Sequence, residues 1–279
     1  MLIYFKVTLI YIILIYSLVL SANDPQNTWK KIDKGLYWGI FDSPQKAELG
    51  DSKITIVKID PNYYSFKLLS ASEHNNERLT TKDWSKKFNL IGTVNAGMFQ
   101  KDLITHVGYM KNSQHINNPN LMNDKAVLGF NASDSTVPEI QIIDRECQDF
   151  NTLKKKYNTL IQNIRVVDCN QKNVWRQQDK KWSMIVLGID KNGNVLFIFC
   201  RSPYSVHDFI NILFTLPISL YNAMYLEGGP EASMYLSSLY IELNLSGSFE
   251  TGFTTTNAFS VPLPIPNVIG FVKKETVKD

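Results

Sequence analysis

The 279-residue sequence predicts an α+β fold: a single domain of mixed, largely antiparallel sheet with a few helices. Three observations carry this reading. Short apolar runs of strand length recur along the chain, several in period-two alternation. Many are joined by tight turn chemistry such as Asp60-Pro61-Asn62 and Asp190-Lys-Asn-Gly193, which favours hairpins over crossovers. Only two or three stretches carry helix punctuation. No internal repeat and no low-complexity segment interrupts the pattern.

The chain opens with Met1 to Leu20, nearly all apolar, with Lys6 near the front and no charge from Val7 to Leu20. Ser21 and Ala22 follow, before the polar Asn23-Asp24-Pro25. A basic start, an apolar run and small residues define a secretory signal pattern over residues 1–22, with an uncleaved anchor as the rival. The expected mature domain is 23–279, secreted or periplasmic, with no stable membrane insertion after cleavage. Composition is ordinary for a globular chain, at 44% hydrophobic and 12% aromatic residues. The net charge of +3 is small and dispersed, so no nucleic-acid partner is expected. Lys154-Lys155-Lys156, the only basic run, reads as a solvated helix face. Of the three cysteines, Cys147 and Cys169 are able to pair in a secreted chain, and Cys200 ends an apolar strand as a buried thiol. The spacings match no structural zinc site.

Trp29 to Phe41, bounded by Gly35 and Gly39, opens the domain. Ile54 to Ile59 alternates as a strand, and Tyr64 to Leu69 reads as its partner across the Asp60-Pro61-Asn62 turn. Thr80 to Asn89 reads as a short helix capped by Thr81. Ile91 to Phe99 is a strand running into Asn95-Ala-Gly97. Gly108 to Gln114 is a strand and turn, Asn117 to Asn123 a polar loop, and Ala126–Phe130 and Glu139–Ile143 two strands. Phe150 to Leu160 reads as helix. Trp182 to Ile189 and Val195 to Arg201 form a hairpin. Ser205 caps a helix with Asp208 three residues on, close to a capping box, and that helix ends near Pro217. Asn222 to Leu226 is a strand. Thr251 to Ile269 reads as extended edge structure, kept off a central position by Pro262, Pro264 and Pro266.

Two stretches suggest chemistry. In Tyr225-Leu-Glu-Gly-Gly-Pro-Glu-Ala-Ser-Met-Tyr235, Glu227 ends a strand, Gly228-Gly229-Pro230 forces a turn, and Glu231 and Ser233 follow at once. Two carboxylates on a tight loop at a strand end suit a site, although a structural turn with solvated glutamates has the same outline. In the second stretch, Asn95 and Gly97 end a strand, Phe99 follows, and His106 lies in the same loop region. Arg201, His207 and Asp208 sit where a strand crosses into a helix. Arg165 stands alone among apolar residues and needs a partner.

Taken in order, Asn95-Ala-Gly-Met-Phe99, Arg201-Ser-Pro-Tyr-Ser-Val-His-Asp208 and Leu226-Glu-Gly-Gly-Pro-Glu-Ala-Ser233 resemble the phosphodiester glycosidase domain family, over roughly Lys53 to Val272. Here Glu227 stands where relatives carry Asp, Pro230 where they carry a third Gly, and Glu231 where they carry a small residue. Asn95-Ala-Gly97-Met98-Phe99 matches the family's Asn-Gly-Phe-Phe type motif with one extra residue. Trp182-Ser183-Met184 holds the place of an Arg-Thr-Ala pattern, which leaves Arg165 and Arg201 as candidates for that arginine's work.

The resemblance implies a hydrolase that cleaves a sugar 1-phosphodiester. Such a bond has a weakly basic leaving group, so it asks for cationic stabilisation of the departing phosphate and a carboxylate near the anomeric carbon. The expected catalytic residues are Glu227, Arg201 and Asp208. The expected substrate contacts are Asn95, Gly97, Phe99, His106, Arg165, His207, Gly228, Gly229, Glu231 and Ser233, with backbone N–H groups of Gly228 and Gly229 forming an anion nest. No cofactor and no metal is expected. An inactive carbohydrate- or envelope-binding module on the same fold is the first alternative. A phosphodiesterase holding a divalent cation on Glu227, Glu231, Asp208 and a histidine is the second.

Overall fold

A computed structural model describes residues 28–252 and 261–275. The signal pattern at 1–22 and part of the C-terminal stretch, 253–260, lie outside the described residues. The elements in chain order are β1 (Lys30–Asp33), β2 (Leu36–Asp42), β3 (Lys53–Ile59), β4 (Tyr64–Ser70), α1 (Thr81–Lys87), β5 (Gly92–Asn95), β6 (Met110–Asn112), β7 (His115–Asn118), β8 (Ala126–Ala132) and β9 (Ile140–Asp144). There follow α2 (Phe150–Leu153), β10 (Tyr157–Val167), β11 (Trp182–Asp190), β12 (Val195–Tyr204), α3 (Val206–Thr215), β13 (Leu220–Gly228), β14 (Ser233–Ser237), β15 (Glu242–Ser246) and β16 (Asn267–Lys273).

The strands form two sheets, and each pairing between them is antiparallel. The 11-stranded sheet runs β1-β2-β3-β12-β11-β13-β10-β6-β7, with β8 also on β10 and β9 on β8. The 5-stranded sheet runs β15-β14-β5-β16-β4. Ile185, Leu187, Phe197 and Leu226 of the first sheet pack against Phe66, Val94, Leu236 and Phe271 of the second. On its other face the large sheet buries Val186, Ile198 and Tyr225 against Val206, Phe209, Ile210 and Leu213 of α3. Buried on both faces, β11 and β12 read as continuous apolar runs rather than alternating ones. Truncating Phe209, which is fully buried, to Ala costs about 3–5 kcal/mol by cavity formation.

The structure departs from the sequence reading at four places. The Asp60-Pro61-Asn62 turn does not join partners: β3 pairs with β2 and β12, whereas β4 crosses to the other sheet and pairs with β16. The cap of α1 is Thr80, whose hydroxyl accepts the Asp83 N–H at 3.1 Å, and Thr81 is inside the helix. Helix α2 stops at Leu153, and Tyr157 to Leu160 belong to β10, where cross-strand partners on β8 and β6 outweigh a marginal helix. Finally, β16 lies between β5 and β4 rather than at an edge. Pro262, Pro264 and Pro266 all precede β16, so no ladder N–H is lost.

Candidate active site

Strand β13 lies between β11 and β10 and carries the Glu-Gly-Gly turn at its end. Near that end the register slips: Val186 faces Tyr225 but Ile185 faces Glu227, leaving Leu226 as an extra residue. Such a bulge bends a strand and re-aims its side chains. Gly229-Pro230-Glu231 then forms one 3₁₀ turn, and Gly229 takes φ +64°, a conformation that favours glycine.

Both glycines are also required by close neighbours. A Cβ on Gly228 would fall 2.0 Å from the Tyr225 hydroxyl and 2.8 Å from the Trp182 Nε1. A Cβ on Gly229 would fall 2.9 Å from Glu250 Oε2 and 3.6 Å from Glu231 Oε2. The turn is therefore a floor on which a phenol, an indole N–H and two carboxylates converge beside Glu227. Trp182 Nε1 is buried beside the Tyr225 hydroxyl, which its N–H favours in the ionised form, although the pair falls short of full hydrogen-bond geometry. Trp175 lies on Tyr225, with ring centroids 5.8 Å apart.

Burial dominates the electrostatics. Glu227, only 9% exposed, has its pKa pushed up to about 8, first by desolvation and then by the charges of Glu231 and Glu250, against the opposing N–H of Gly228. Glu231 is also raised, by burial and then by Glu250. Burial holds the Tyr225 phenol protonated well beyond its ordinary range, with Glu227 next in effect. The two charged neighbours that act on Glu227, Glu231 and Glu250, are both acidic. Below about pH 8 the floor thus holds a protonated Glu227 carboxyl and a neutral phenol with the Trp182 N–H beside it, next to the side chains of Glu231 and Glu250.

Asn95 braces this floor. Its Nδ2 donates to Glu231 O at 3.0 Å, and its Oδ1 accepts from Ser233 N at 2.8 Å and Ser233 Oγ at 3.2 Å. Asn163 holds the preceding loop by donating to Ala96 O at 2.8 Å. Behind it, Gly97 leaves room for His106 Cε1 and Asn163 Oδ1, which a Cβ would meet at 2.4 and 2.2 Å. His106 is 1% exposed, donates Nε2–H to Gln162 O at 2.7 Å, and has its pKa held down to about 4 by burial. Phe99 packs in the α1 layer with Trp84, Leu90 and Ile265.

The remaining sequence candidates lie elsewhere. Arg201 donates Nε–H to Ser248 Oγ at 3.0 Å and lies over the Phe249 ring, lining a hollow of about 330 Å³ with Asp51, Lys53 and Ser246. Arg165 finds its partners in Asp144, at 2.7 Å, and Glu146, at 2.6 Å. The lone arginine thus has the counter-ions that the sequence asks for. Asp208 accepts from Ser205 Oγ at 2.7 Å and from Gln177. His207 donates Nδ1–H to Trp175 O at 2.6 Å. These two stand one step removed, fixing the loop that lays Trp175 on Tyr225. The Gly228 N–H is occupied by Glu227 Oε1 at 3.0 Å, so the turn does not offer the two-amide nest expected of it. A cation site built from Glu227, Glu231, Asp208 and a histidine is likewise not assembled. Among the described residues, the one grouping of potential metal ligands is Asp144 with Cys147 and Cys169, whose sulfurs are joined in a disulfide.

Sequence reading passed over Glu250, Tyr225, Trp182 and Trp175 as site residues. The signal for Glu250 was a hairpin: β14 pairs with β15 with Ser233 opposite Ser246, and extending that register places Glu250 opposite Gly229. Segment 247–251 is then stitched to the start of β11, where the Ser183 hydroxyl accepts N–H groups of Ser248 and Phe249.

Fold and floor together define an antiparallel α+β domain with an acid-rich site at the end of a central strand. A family model described as phosphodiester glycosidase matches residues 88–272, and the chain belongs to that family. Among solved structures it is similar to the zebrafish N-acetylglucosamine-1-phosphodiester alpha-N-acetylglucosaminidase catalytic domain auto-inhibited by its pro-peptide. That match has a TM-score of 0.60 and 14% identity, over 86% of this chain and 84% of that one. It is also similar to a hypothetical protein from Synechocystis, with a TM-score of 0.58 and 13% identity, over 86% of this chain and 62% of that one. At these identities the likeness shows the shared fold. No curated protein matches the chain.

Proposed function

We propose that the protein is a secreted hydrolase that cleaves the glycosidic C–O bond of a sugar 1-phosphodiester at the floor formed by Glu227, Gly228, Gly229, Glu231 and Glu250. The observation that carries the reading is the convergence on two glycines of three carboxyl groups, one of them held protonated to about pH 8, with a neutral phenol and the indole N–H beside it. An anionic phosphodiester brought among ionised carboxylates alone would be repelled. Here the phosphate oxygens meet donors that carry no negative charge: the Glu227 carboxyl, the Tyr225 hydroxyl and the Trp182 N–H. Neutral donors take the place of the arginine that family members carry before the β11 hairpin. Glu231 and Glu250 face the anomeric carbon and stabilise positive charge there as the bond breaks. Water adds to that carbon, the bonding pair leaves with the phosphate monoester, whose oxygen takes the Glu227 proton, and the water's proton passes to the carboxylate pair, from which Glu227 is reprotonated. The Cys147–Cys169 disulfide supports a secreted setting.

A second reading, a binding module without turnover, is favoured by Glu227 in place of Asp and by Trp182-Ser183-Met184 in place of the arginine pattern. The test is hydrolysis of the methyl phosphodiester of α-N-acetylglucosamine 1-phosphate by the wild type and Glu227→Gln. The hydrolase reading expects turnover that Glu227→Gln lowers by about 10²–10⁴-fold. Saturable binding without turnover would favour the module.

A further inference from the structure

At the opposite end of β13 from the carboxylate floor lies a second cleft, of about 870 Å³, at the upper end of the range for small-molecule sites. It opens between the β3–β4 turn, the β11–β12 hairpin and the start of β9. Tyr221 and Asn222, which line it, begin the strand that Glu227 ends, so the two sites are about 17–20 Å apart along the strand.

Side-chain amides are the recurrent feature of the lining. Five side-chain amides, those of Asn62, Gln141, Gln148, Asn192 and Asn222, surround the space beside an exposed tyrosine, Tyr221. Gln148 donates to Gln141 Oε1 at 3.2 Å, and Gln141 donates to Tyr157 at 2.6 Å, which leaves each amide one further N–H. Asn222 is 7% exposed, and its Oδ1 has no hydrogen-bond partner among the described residues. A buried amide oxygen left unpaired costs about 1–3 kcal/mol. Both signs of charge are present, with Lys191 and Lys274 against Asp60, Glu139 and Asp190, the last already accepting from Asn192 N, Asn194 N and Asn194 Nδ2 of its own hairpin, so the cleft has no strong field of either sign. The Cys147–Cys169 disulfide forms part of the wall and holds it rigid.

Amides that both donate and accept, an aromatic ring and charges of mixed sign are the chemistry that recognises a neutral polyhydroxylated ligand. We infer that this cleft is a second, non-catalytic binding site for a neutral oligosaccharide. It is independent of the hydrolysis assigned to the floor and stands even if that assignment fails.

Calorimetric titration of the full mature chain with cellotriose, maltotriose and N-acetylchitotriose tests it, using Tyr221→Ala, Asn192→Ala and Glu227→Gln. The expected result is saturable binding of at least one trisaccharide. Tyr221→Ala and Asn192→Ala each weaken it tenfold or more, Glu227→Gln leaves it unchanged, and Tyr221→Ala keeps wild-type thermal stability. The inference is overturned if none of the three binds, if either cleft variant weakens binding by less than tenfold, or if Glu227→Gln abolishes it and so places the sugar at the floor.

Discussion

Asn95 Oδ1 accepts the backbone N–H of Ser233 at 2.8 Å, joining the end of β5 to the start of β14, 138 residues apart in sequence. The same amide donates to Glu231 O. The first motif thus shapes the second, and Asn95 is buried beneath the floor rather than on it. Asn95→Ala leaves these buried groups unpaired and should lower unfolding stability by about 2–3 kcal/mol in urea titration, with turnover falling alongside. Unchanged stability would place the amide in direct contact with substrate instead.

Tyr225 and Gly228 make a paired prediction. Gly228→Ala drives a methyl into the Tyr225 hydroxyl and the Trp182 ring, and overpacking of that kind costs about 1–3 kcal/mol. Tyr225→Phe removes the closest of these contacts. The double variant should therefore be more stable than Gly228→Ala alone in a thermal melt, while its activity stays low because a donor is lost. Strictly additive effects would mean that the two residues do not meet.

The raised pKa of Glu227 fixes the sign of a pH effect. Below its ordinary value of 4.5 the carboxyl is protonated whether the chain is folded or not. Between 4.5 and about 8 the unfolded chain releases a proton that the fold retains, so this group lowers stability as pH rises through that window. Glu227→Gln should match the wild type near pH 4 and gain on it steadily up to pH 8, as read by melting temperature across a buffer series. The wild-type kcat/KM should fall above pH 8 as the donor ionises. His106 acts in the opposite direction: held neutral to about pH 4 in the fold, it contributes stability that is lost as pH falls from 6.5 towards 4.

Arg165 is predicted to serve the fold alone. Asp144, with 3% of its side chain exposed, is left without its cation in Arg165→Ala, at a cost of about 3–5 kcal/mol. Replacing Cys147 and Cys169 by serine opens a loop of sequence separation 22 and costs about 3 kcal/mol more. Both variants should keep wild-type kcat/KM below their melting temperatures. A selective rise in KM in Arg165→Ala would return that arginine to the site.

Much of the architecture was legible in the residues, because strand alternation, turn chemistry and the Ser205 cap are local signals. The β11–β12 hairpin and α3 follow from them directly. Which sheet a strand joins is not local, and so β4 and β16 were misplaced: their pairing depends on partners some 200 residues away. At the site, Glu227 and Glu231 were visible because glycines and proline punctuate the chain around them. Glu250 and Trp182 were not, since only the β14–β15 register and the bridge between Trp182 and Glu250 bring them to the turn. Arg165 shows how a residue type can carry two meanings. A lone cation in an apolar strand signals that a counter-ion exists, but Asp144 meets that need as well as a phosphate would.

Isotope labelling tests the central claim most directly. Hydrolysis of the methyl phosphodiester of α-N-acetylglucosamine 1-phosphate is run in ¹⁸O-water, with the products read by mass spectrometry. Attack at the anomeric carbon places the label on the sugar hydroxyl and leaves the phosphate monoester unlabelled, and Glu227→Gln suppresses its appearance. Label on the phosphate, or equal labelling rates in Glu227→Gln and wild type, would contradict the account.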